Sequence, residues 1–175
     1  MEIKAASNRE MRWIKKTYLE AFPKLERKPF GLMRQKARQG MMEFLTILDG
    51  GRPVGLAITV LHKDMVLLDY FAIHRAYRGH SYGSGALRLL KEHYEGKRLI
   101  MEIELFDEEA QNREERQRRK QFYLKNGMRE TGLEVCVFKV PMEVLTDGAP
   151  VTYEEYHSIY QETIGSAFAR KVTRL

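Results

Sequence analysis

The apolar positions of this chain follow two spacings, and the pattern switches between helical and strand-like intervals several times. Over residues 11–22 apolar side chains recur at i, i+3, i+4 and i+7, which predicts an amphipathic helix after a cap at Asn8 and before Pro23. A short strand is expected over residues 1–6, and a second short helix over residues 30–38. The chain is therefore expected to start with one strand and two helices.

Three runs of β-favouring residues follow these helices. Residues 42–48 and 53–61 flank Asp49-Gly50-Gly51, a typical hairpin turn, and a third strand runs from Met65 to residue 73. Because short turns join these strands, they are expected to form an antiparallel meander. A further strand over residues 99–105 is expected to lie parallel to the 65–73 strand, since a helix separates the two.

The segment between those two strands contains candidate chemistry. The 65–73 strand ends in a turn of small residues, 78–85, and apolar residues then resume helical spacing over 84–94. Unpaired amides at a helix start, aided by the helix dipole, bind anions, and glycines let the backbone approach a ligand. The turn lacks the lysine of a P-loop and the third glycine of a Rossmann loop.

The sequence of this turn resembles a known family. Arg78-Gly79-His80-Ser81-Tyr82-Gly83 is similar to the acetyl-CoA signature of the GNAT N-acetyltransferases, in which Gln or Arg is followed by two residues, Gly, one residue, and Gly or Ala. Ser81 stands where the first of those glycines belongs. A register over residues 80–85 restores both glycines but loses the leading Arg. The first register is favoured, because it places the helix start where the family has it.

A second segment carries the same resemblance. Phe122-Tyr123-Leu124-Lys125-Asn126-Gly127-Met128 resembles the family's F-Y-x-K-x-G-F segment, although a helix cap alone would explain Gly127. Together the two motifs imply one α/β domain over residues 1–175, with a helical extension at about 152–175. The implied GNAT fold is a mixed, mostly antiparallel sheet of about six or seven strands flanked by helices, with an acetyl-CoA cleft between two splayed parallel strands.

By resemblance, the first motif and the strand before it bind the cofactor, acetyl-CoA. The amides near Ala72 and Ile73 would hold the thioester carbonyl, and those of residues 79–84, with Arg78, the pyrophosphate. The matching tyrosine of the family protonates the departing thiolate, so Tyr123 is the predicted acid, against a plain packing role. The predicted cofactor-binding residues are Phe71, Ala72, Ile73, Arg78, Gly79, His80, Ser81, Tyr82, Gly83, Ser84 and Asn112.

Two carboxylates on the 99–105 strand are candidate bases. Strand alternation puts Glu102 and Glu104 on one face and apolar residues on the other. A solvent-exposed face of the sheet would explain the two carboxylates equally well. The functional interpretation is that one of them accepts the proton of the acceptor amine. Glu102 is favoured over Glu104, because similar enzymes place a Glu at this strand, and Asp69 is the reserve candidate.

The chain after this strand is more charged. A helix is expected over residues 113–126, with most of its basic residues on a solvated face. Arg116 occupies the position at which many family members have a CoA-binding Asn. Asn112 could take that role only if the helix starts earlier or is shifted. Thr131-Gly132 is predicted as a hairpin turn before a strand over residues 135–140.

The C-terminal region is expected to be helical. Thr152 to Glu155 reads as a capping box, and the stripe of Tyr153, Tyr156 and Tyr160 is interpreted as core packing rather than as a cofactor site. The basic tail over residues 168–175 is expected to be either a flexible end or a homodimer contact.

Composition narrows the class of protein. The net charge of +6, from 30 Lys and Arg against 24 Asp and Glu, is modest and suits polyanionic coenzyme A, and no nucleic-acid partner is expected. The single cysteine, Cys136, is interpreted as a core side chain, and no zinc spacing is present, so no metal is expected. No apolar run approaches the roughly 20 residues of a membrane span. A cytoplasmic protein without a membrane partner is expected.

The resemblance thus implies an acetyl-CoA-dependent N-acetyltransferase that acts by direct attack of a primary amine in a ternary complex. The acceptor is expected to be a small-molecule or peptide amine, with a small molecule favoured over a protein N-terminus or a lysine. A GNAT-fold protein that binds acyl-CoA without catalysis, as a sensor or scaffold, is the alternative.

Overall fold

The computed structural model describes the whole chain, Met1–Leu175, as an eight-stranded sheet with helices. The strands are β1 (Glu2–Ala5), β2 (Met42–Asp49), β3 (Arg52–His62), β4 (Met65–Ile73), β5 (Arg98–Glu104), β6 (Arg129–Val137), β7 (Val140–Thr146) and β8 (Val172–Arg174). The α-helices are α1 (Asn8–Ala21), α2 (Phe30–Arg38), α3 (Tyr82–His93), α4 (Arg113–Lys125), α5 (Tyr153–Ile159) and α6 (Ser166–Ala169). A π-helix, Tyr160–Ile164, continues α5. None of the helices is both long enough and apolar enough to cross a bilayer.

The predicted sheet type is confirmed. The strands hydrogen-bond in the order β1-β2-β3-β4-β5-β7-β6-β8, so the sheet has eight strands rather than the six or seven expected. The ladders of β1 with β2, β2 with β3, and β7 with both β5 and β6 are antiparallel. The pairing of β4 with β5 is parallel, as the intervening α3 requires, and it registers residues 65–67 with residues 98–100.

The chain forms two compact units. The first comprises Met1–Leu61 and Leu68–Glu95, and the second comprises His62–Leu67 and Gly96–Leu175. In the first unit, β2 and β3 are buried over most of their length, and α1 and α3 bury Ile14 and Leu87. In the second unit the core lies among β5, β7 and α5, each of which contributes fully buried apolar side chains.

Two helix starts differ slightly from prediction. The cap of α1 is Ser7 rather than Asn8: Ser7 Oγ accepts from the Glu10 N–H at 3.3 Å, and Glu10 accepts from the Ser7 N–H at 2.8 Å. This capping box satisfies two unpaired donors at once. Helix α3 begins at Tyr82, before the predicted start at Ser84.

The predicted hairpin turn at Thr131-Gly132 is wrong. These residues form an irregularity inside β6, where Thr131 Oγ1 donates to the Val144 carbonyl at 2.7 Å. The actual turn between β6 and β7 is Phe138-Lys139, with φ values of 51° and 72°. Positive φ at both central residues suits a tight hairpin, but Phe and Lys are not the residues that usually signal it.

Of the two alternatives for the C-terminal tail, the structure does not support a flexible end, because the tail forms α6 and β8. Helix α6 leads into β8, which pairs antiparallel with β6 through Val172, Thr173 and Arg174. The neighbouring Cys136 is only partly buried, unlike the core side chain predicted. A homodimer contact through this tail stays a prediction.

Candidate functional site

The turn before α3 presents unpaired backbone donors. No carbonyl or side chain of the protein accepts from the amides of residues 79–84, and the first bond of the helix runs from the Gly85 N–H to the Ser81 carbonyl at 3.1 Å. Whereas α1 is capped by Ser7, α3 has no side-chain cap. Free amides combined with the positive end of a twelve-residue helix make a site suited to an anion.

Ser81 adopts the backbone conformation that glycine would supply. Its φ is 59° and its ψ is 9°, which lie in the left-handed region that residues other than glycine rarely adopt. Ser81 is the residue that replaces the first glycine of the signature in the favoured register. The conformation therefore supports that register, because the backbone there follows a glycine-like path.

Two tyrosines fix the position of the turn within the first unit. Tyr82 donates a hydrogen bond to Asp49 Oδ2 at 2.7 Å, which anchors the start of α3 to the end of β2. Its ring also meets that of Tyr77 edge-on, with centroids 6.1 Å apart. Both rings pack against a buried cluster that includes Ala86 of α3. The hydrogen bond from Tyr82 is the main cause that lowers the pKa of Asp49.

The side chains at the turn hold its backbone and leave it open to solvent. Arg78 Nε donates to the Ile73 carbonyl at 3.1 Å, and His80 Nδ1 lies 2.9 Å from the Arg78 carbonyl, which makes that nitrogen the donor. Arg78, Gly79, His80 and Ser81 are all exposed. An anion could therefore reach both the amides and the Arg78 guanidinium without displacing any buried group.

The end of β4 is tightly packed against β3. A side-chain carbon at Gly55 would lie 2.7 Å from the Ala72 carbonyl oxygen and 2.8 Å from Ile73 Cδ1, so only glycine fits there. The side chains of Phe71 and Ile73 pack on the same cluster as Tyr77 and Tyr82. These contacts fix the backbone on which the predicted thioester contacts at Ala72 and Ile73 depend.

Tyr123 lies near the end of α4, in the second unit, and is only 7% exposed. Burial raises its pKa to about 12, opposed by the positive charge of Arg119. The phenol is therefore protonated at neutral pH and can donate a proton. No hydrogen bond contributes to this shift, and the ring of Phe122 meets it edge-on at 5.0 Å.

The two candidate bases on β5 have different surroundings. Glu102 accepts hydrogen bonds from two buried hydroxyls, Tyr156 at 2.6 Å and Tyr160 at 2.7 Å. Glu104 instead lies 2.9 Å from Arg116 Nη2 and 3.4 Å from Arg119 Nη1. Glu104 is thus engaged by two guanidinium groups, whereas two phenol hydroxyls donate to Glu102.

Asn112 belongs to the same network as Glu104. Its amide nitrogen lies 3.4 Å from Glu104 Oε2, and its carbonyl oxygen accepts from Arg116 Nε at 2.9 Å. The residue is the cap position of α4, which begins at Arg113 as predicted. The predicted contact of Asn112 with coenzyme A stays a prediction.

The reserve base, Asp69, lies in the first unit and is paired. Lys28 Nζ is 2.6 Å from Asp69 Oδ1, and the two side chains are 6% and 3% exposed. The other carboxylate oxygen, Oδ2, is buried and has no hydrogen-bond partner. The Asp69 carboxylate is therefore engaged in a buried ion pair, and an incoming amine would have to displace Lys28 to reach Oδ1.

Sequence reasoning missed three partners of these carboxylates, Tyr156, Tyr160 and Lys28. The tyrosines that bind Glu102 are completely buried, as core packing predicts, and their hydroxyls donate to this carboxylate. Their i, i+4 spacing was visible in the sequence, although the carboxylate they meet was not. Lys28, between Arg27 and Pro29 in a linker, gave no signal at all.

The chain is similar to known proteins in both sequence and fold. Residues 8–128 match the model of the acetyltransferase (GNAT) family. No curated protein matches the sequence. A Bacteroides thetaiotaomicron structure assigned to GNAT acetyltransferases has 19% identity and a TM-score of 0.78, covering 97% of this chain and 99% of that chain.

Two further solved structures share the fold. An aminoglycoside 6'-N-acetyltransferase complexed with coenzyme A has 11% identity and a TM-score of 0.65, with coverage of 87% of this chain and 100% of that chain. The Escherichia coli ribosomal-protein-S18-alanine N-acetyltransferase has 14% identity and a TM-score of 0.63, with coverage of 87% and 96%. Likeness at this identity shows the fold alone.

The family match covers more than half of the chain, and the fold agrees with it. The protein belongs to the acetyltransferase (GNAT) family, as the two motifs implied, and is an acyltransferase of that family. The match ends at Met128, so β6 to β8 and the C-terminal helices lie outside the matched part.

Proposed function

We propose that this protein transfers the acetyl group of acetyl-CoA to a primary amine by direct attack in a ternary complex. The amine nitrogen forms the new C–N bond, the C–S bond breaks, and coenzyme A leaves as a thiolate that takes up a proton. The observation that carries the proposal is the run of unpaired amides over residues 79–84 at the start of α3. Such donors match the pyrophosphate of coenzyme A.

The backbone near the end of β4 would hold the thioester. The amides of Ala72 and Ile73 are proposed to bind its carbonyl oxygen and to stabilise the negative charge that develops there. The close approach of the Gly55 backbone to the Ala72 carbonyl oxygen, which leaves no room for a side chain at residue 55, supports a tightly packed backbone here. Preorganised donors of this kind act without rearranging during the reaction.

Proton transfer is assigned to two side chains of the second unit. Tyr123 would protonate the thiolate, which its raised pKa permits because the phenol holds its proton at neutral pH. Glu102 would accept the proton of the amine, directly or through a water. Glu104 and Asp69 are already held by Arg116, Arg119 and Lys28, which favours Glu102.

The acceptor is proposed as a primary amine, with a small molecule favoured. The neighbours described above are named for an aminoglycoside and for the alanine of a ribosomal protein, so the fold serves both acceptor types. Side chains of this chain must therefore decide the acceptor, because fold alone does not.

The test is an assay for free coenzyme A with a panel of polyamines, aminoglycosides, lysine peptides and N-terminal peptides. Wild type is expected to release thiol with at least one amine, and Tyr123→Phe to lower kcat by about 100-fold or more. Thermal stabilisation by acetyl-CoA without thiol release from any amine would contradict the proposal and favour the non-catalytic acyl-CoA binder.

The pyrophosphate contact has a separate test at Ser84. Ser84→Asp places a carboxylate in the first turn of α3, where it stabilises the helix but repels the cofactor phosphates. The affinity for coenzyme A is expected to fall about tenfold or more, with no loss of thermal stability. Ser84→Asn is the uncharged control and should bind nearly as wild type does. Equal affinity of the Asp and Asn variants would place the anion elsewhere.

A further inference from the structure

Glu102 is bound by the chain's C-terminal segment. The hydroxyls of Tyr156 in α5 and Tyr160 in the π-helix both donate to Glu102 Oε1, at 2.6 Å and 2.7 Å. Both tyrosines are completely buried. These distances are typical of hydroxyls donating to an ionised carboxylate, which are stronger bonds than those between neutral groups.

The two tyrosines are held in a fixed register relative to β5. Thr152 and Glu155 form the capping box that starts α5, and Arg98, the first residue of β5, binds the Glu155 carboxylate at 2.8 Å and 3.3 Å. Because Tyr156 and Tyr160 are four residues apart, they share one helix face, and their rings meet edge-on with centroids 5.7 Å apart. Helix α5 is therefore tied to β5 close to Glu102.

The backbone changes its winding where the second tyrosine lies. Residues Tyr160–Ile164 form a π-helix, a rare geometry that occurs frequently at functional sites. The π-helix is closed by a hydrogen bond from the Gly165 N–H to the Tyr160 carbonyl at 2.8 Å. Glu162 of the same segment lies 3.2 Å from Lys63 Nζ in an exposed ion pair, which adds little restraint.

We propose that Tyr156 and Tyr160 are positioning residues that orient the Glu102 carboxylate for proton acceptance. The inference rests on the proposed function, in which Glu102 is the base. Because both phenols bind Oε1, they fix the rotation of the carboxylate and hence the direction of Oε2. The tyrosines lie beyond Met128, where the family match ends.

The experiment compares Tyr156→Phe, Tyr160→Phe and the double variant with Tyr153→Phe. Tyr153 is the matched control, since its hydroxyl lies in the same helix but donates to the Val172 carbonyl at 3.1 Å. Each site variant is expected to lower kcat/KM for the amine about tenfold, and the double variant about 100-fold, without changing KM for acetyl-CoA. Tyr153→Phe is expected to leave these constants near those of wild type.

A cycle with Glu102→Gln separates positioning from a merely structural role. If the phenols act through the carboxylate, then Tyr156→Phe and Tyr160→Phe add no further loss of kcat/KM in the Glu102→Gln background. Losses that persist in that background, or site variants as active as wild type, would overturn the inference while leaving the transferase intact. A wild type that releases no thiol with any amine would overturn the proposed function and the inference together.

Discussion

Lys28 Nζ lies 2.6 Å from Asp69 Oδ1, and this ion pair is almost completely excluded from water. Polar contacts surround it: Tyr18 donates to the Lys28 carbonyl at 3.0 Å, and the Lys28 N–H donates to the Tyr70 hydroxyl at 2.9 Å. The Tyr70 hydroxyl in turn donates to the Glu26 carbonyl at 2.8 Å. The linker before α2 is thus attached to β4 through buried polar groups, close to the proposed thioester contacts.

Lys28→Met is expected to destabilise the protein by about 3–5 kcal/mol, because it leaves the Asp69 carboxylate buried without its counter-ion. The measurement is the free energy of unfolding in urea. Adding Asp69→Leu to this variant is expected to recover much of the loss, since the uncompensated charge is then removed.

An exposed ion pair provides the control for this prediction. Lys16 Nζ lies 3.9 Å from Glu20 Oε1, with side chains 75% and 49% exposed, so Lys16→Met should change stability by less than about 0.5 kcal/mol. If Lys28→Met were as mild as Lys16→Met, the pair would not be buried in solution as described.

Ser81→Gly is expected to stabilise the protein by roughly 0.5–1 kcal/mol. The substitution removes the steric strain of a left-handed residue with a Cβ, at φ 59°. This gain in stability is larger than the loss caused by the greater conformational entropy of glycine in the unfolded chain. Coenzyme A binding should be retained, because the amide is unchanged. Thermal denaturation and titration calorimetry measure the two quantities.

Ser84→Gly is the matched control for this change. Ser84 lies inside α3, where glycine costs up to about 1 kcal/mol relative to better helix formers, so the same substitution should have the opposite sign three residues later. If Ser81→Gly and Ser84→Gly both destabilised the protein, the backbone of Ser81 would not be left-handed in solution.

Two glycine-to-alanine changes should also differ in sign. Gly55→Ala is expected to cost about 1–3 kcal/mol, because its new carbon would lie 2.7 Å from the Ala72 carbonyl oxygen, a backbone atom of the neighbouring strand. Gly31→Ala, in α2 with no atom within 4 Å, should stabilise by about 0.5–1 kcal/mol. The free energy of unfolding in urea checks both, and a Gly55→Ala variant as stable as wild type would contradict the close approach of Gly55 to Ala72.

Sequence predicted the fold best where local signals and tertiary structure agree. The hairpin at Asp49-Gly50-Gly51 and the helix after Pro29 follow directly from residues with strong conformational preferences. The turn at Phe138-Lys139 could not be predicted, because its positive φ values are imposed by the pairing of β6 with β7. Strand β8 was missed for a similar reason, since β6 supplies its partners.

In the candidate site, too, features set by the local sequence could be predicted and features set by tertiary packing could not. The turn before α3 could be recognised because its glycines and the helix start are contiguous in the chain. The surroundings of the carboxylates were not, since Glu102 meets tyrosines more than 50 residues later and Asp69 meets a lysine 41 residues earlier. Contacts between distant segments are set by packing, which periodicity does not reveal.

His62 should make the protein less stable in mild acid. Burial is the main cause that lowers its pKa below the ordinary value of 6.5, opposed by the charge of Glu162. The unfolded chain therefore binds more protons at this site than the native one as pH falls through about 6.5, so the free energy of unfolding decreases there until the lowered pKa is reached. His62→Gln is expected to shrink the difference in stability between pH 7.5 and pH 5.5, measured by urea unfolding.

Ser158→Ala is the control for His62→Gln. Ser158 lies in α5, and its Oγ is 3.0 Å from His62 Nε2. Its removal should lower stability at every pH by about 1 kcal/mol while His62 still titrates. The decrease in the free energy of unfolding between pH 7.5 and pH 5.5 should therefore persist in Ser158→Ala and become smaller in His62→Gln. An unchanged pH dependence in His62→Gln would mean that another group causes the acid sensitivity, because replacing the ring removes its titration entirely.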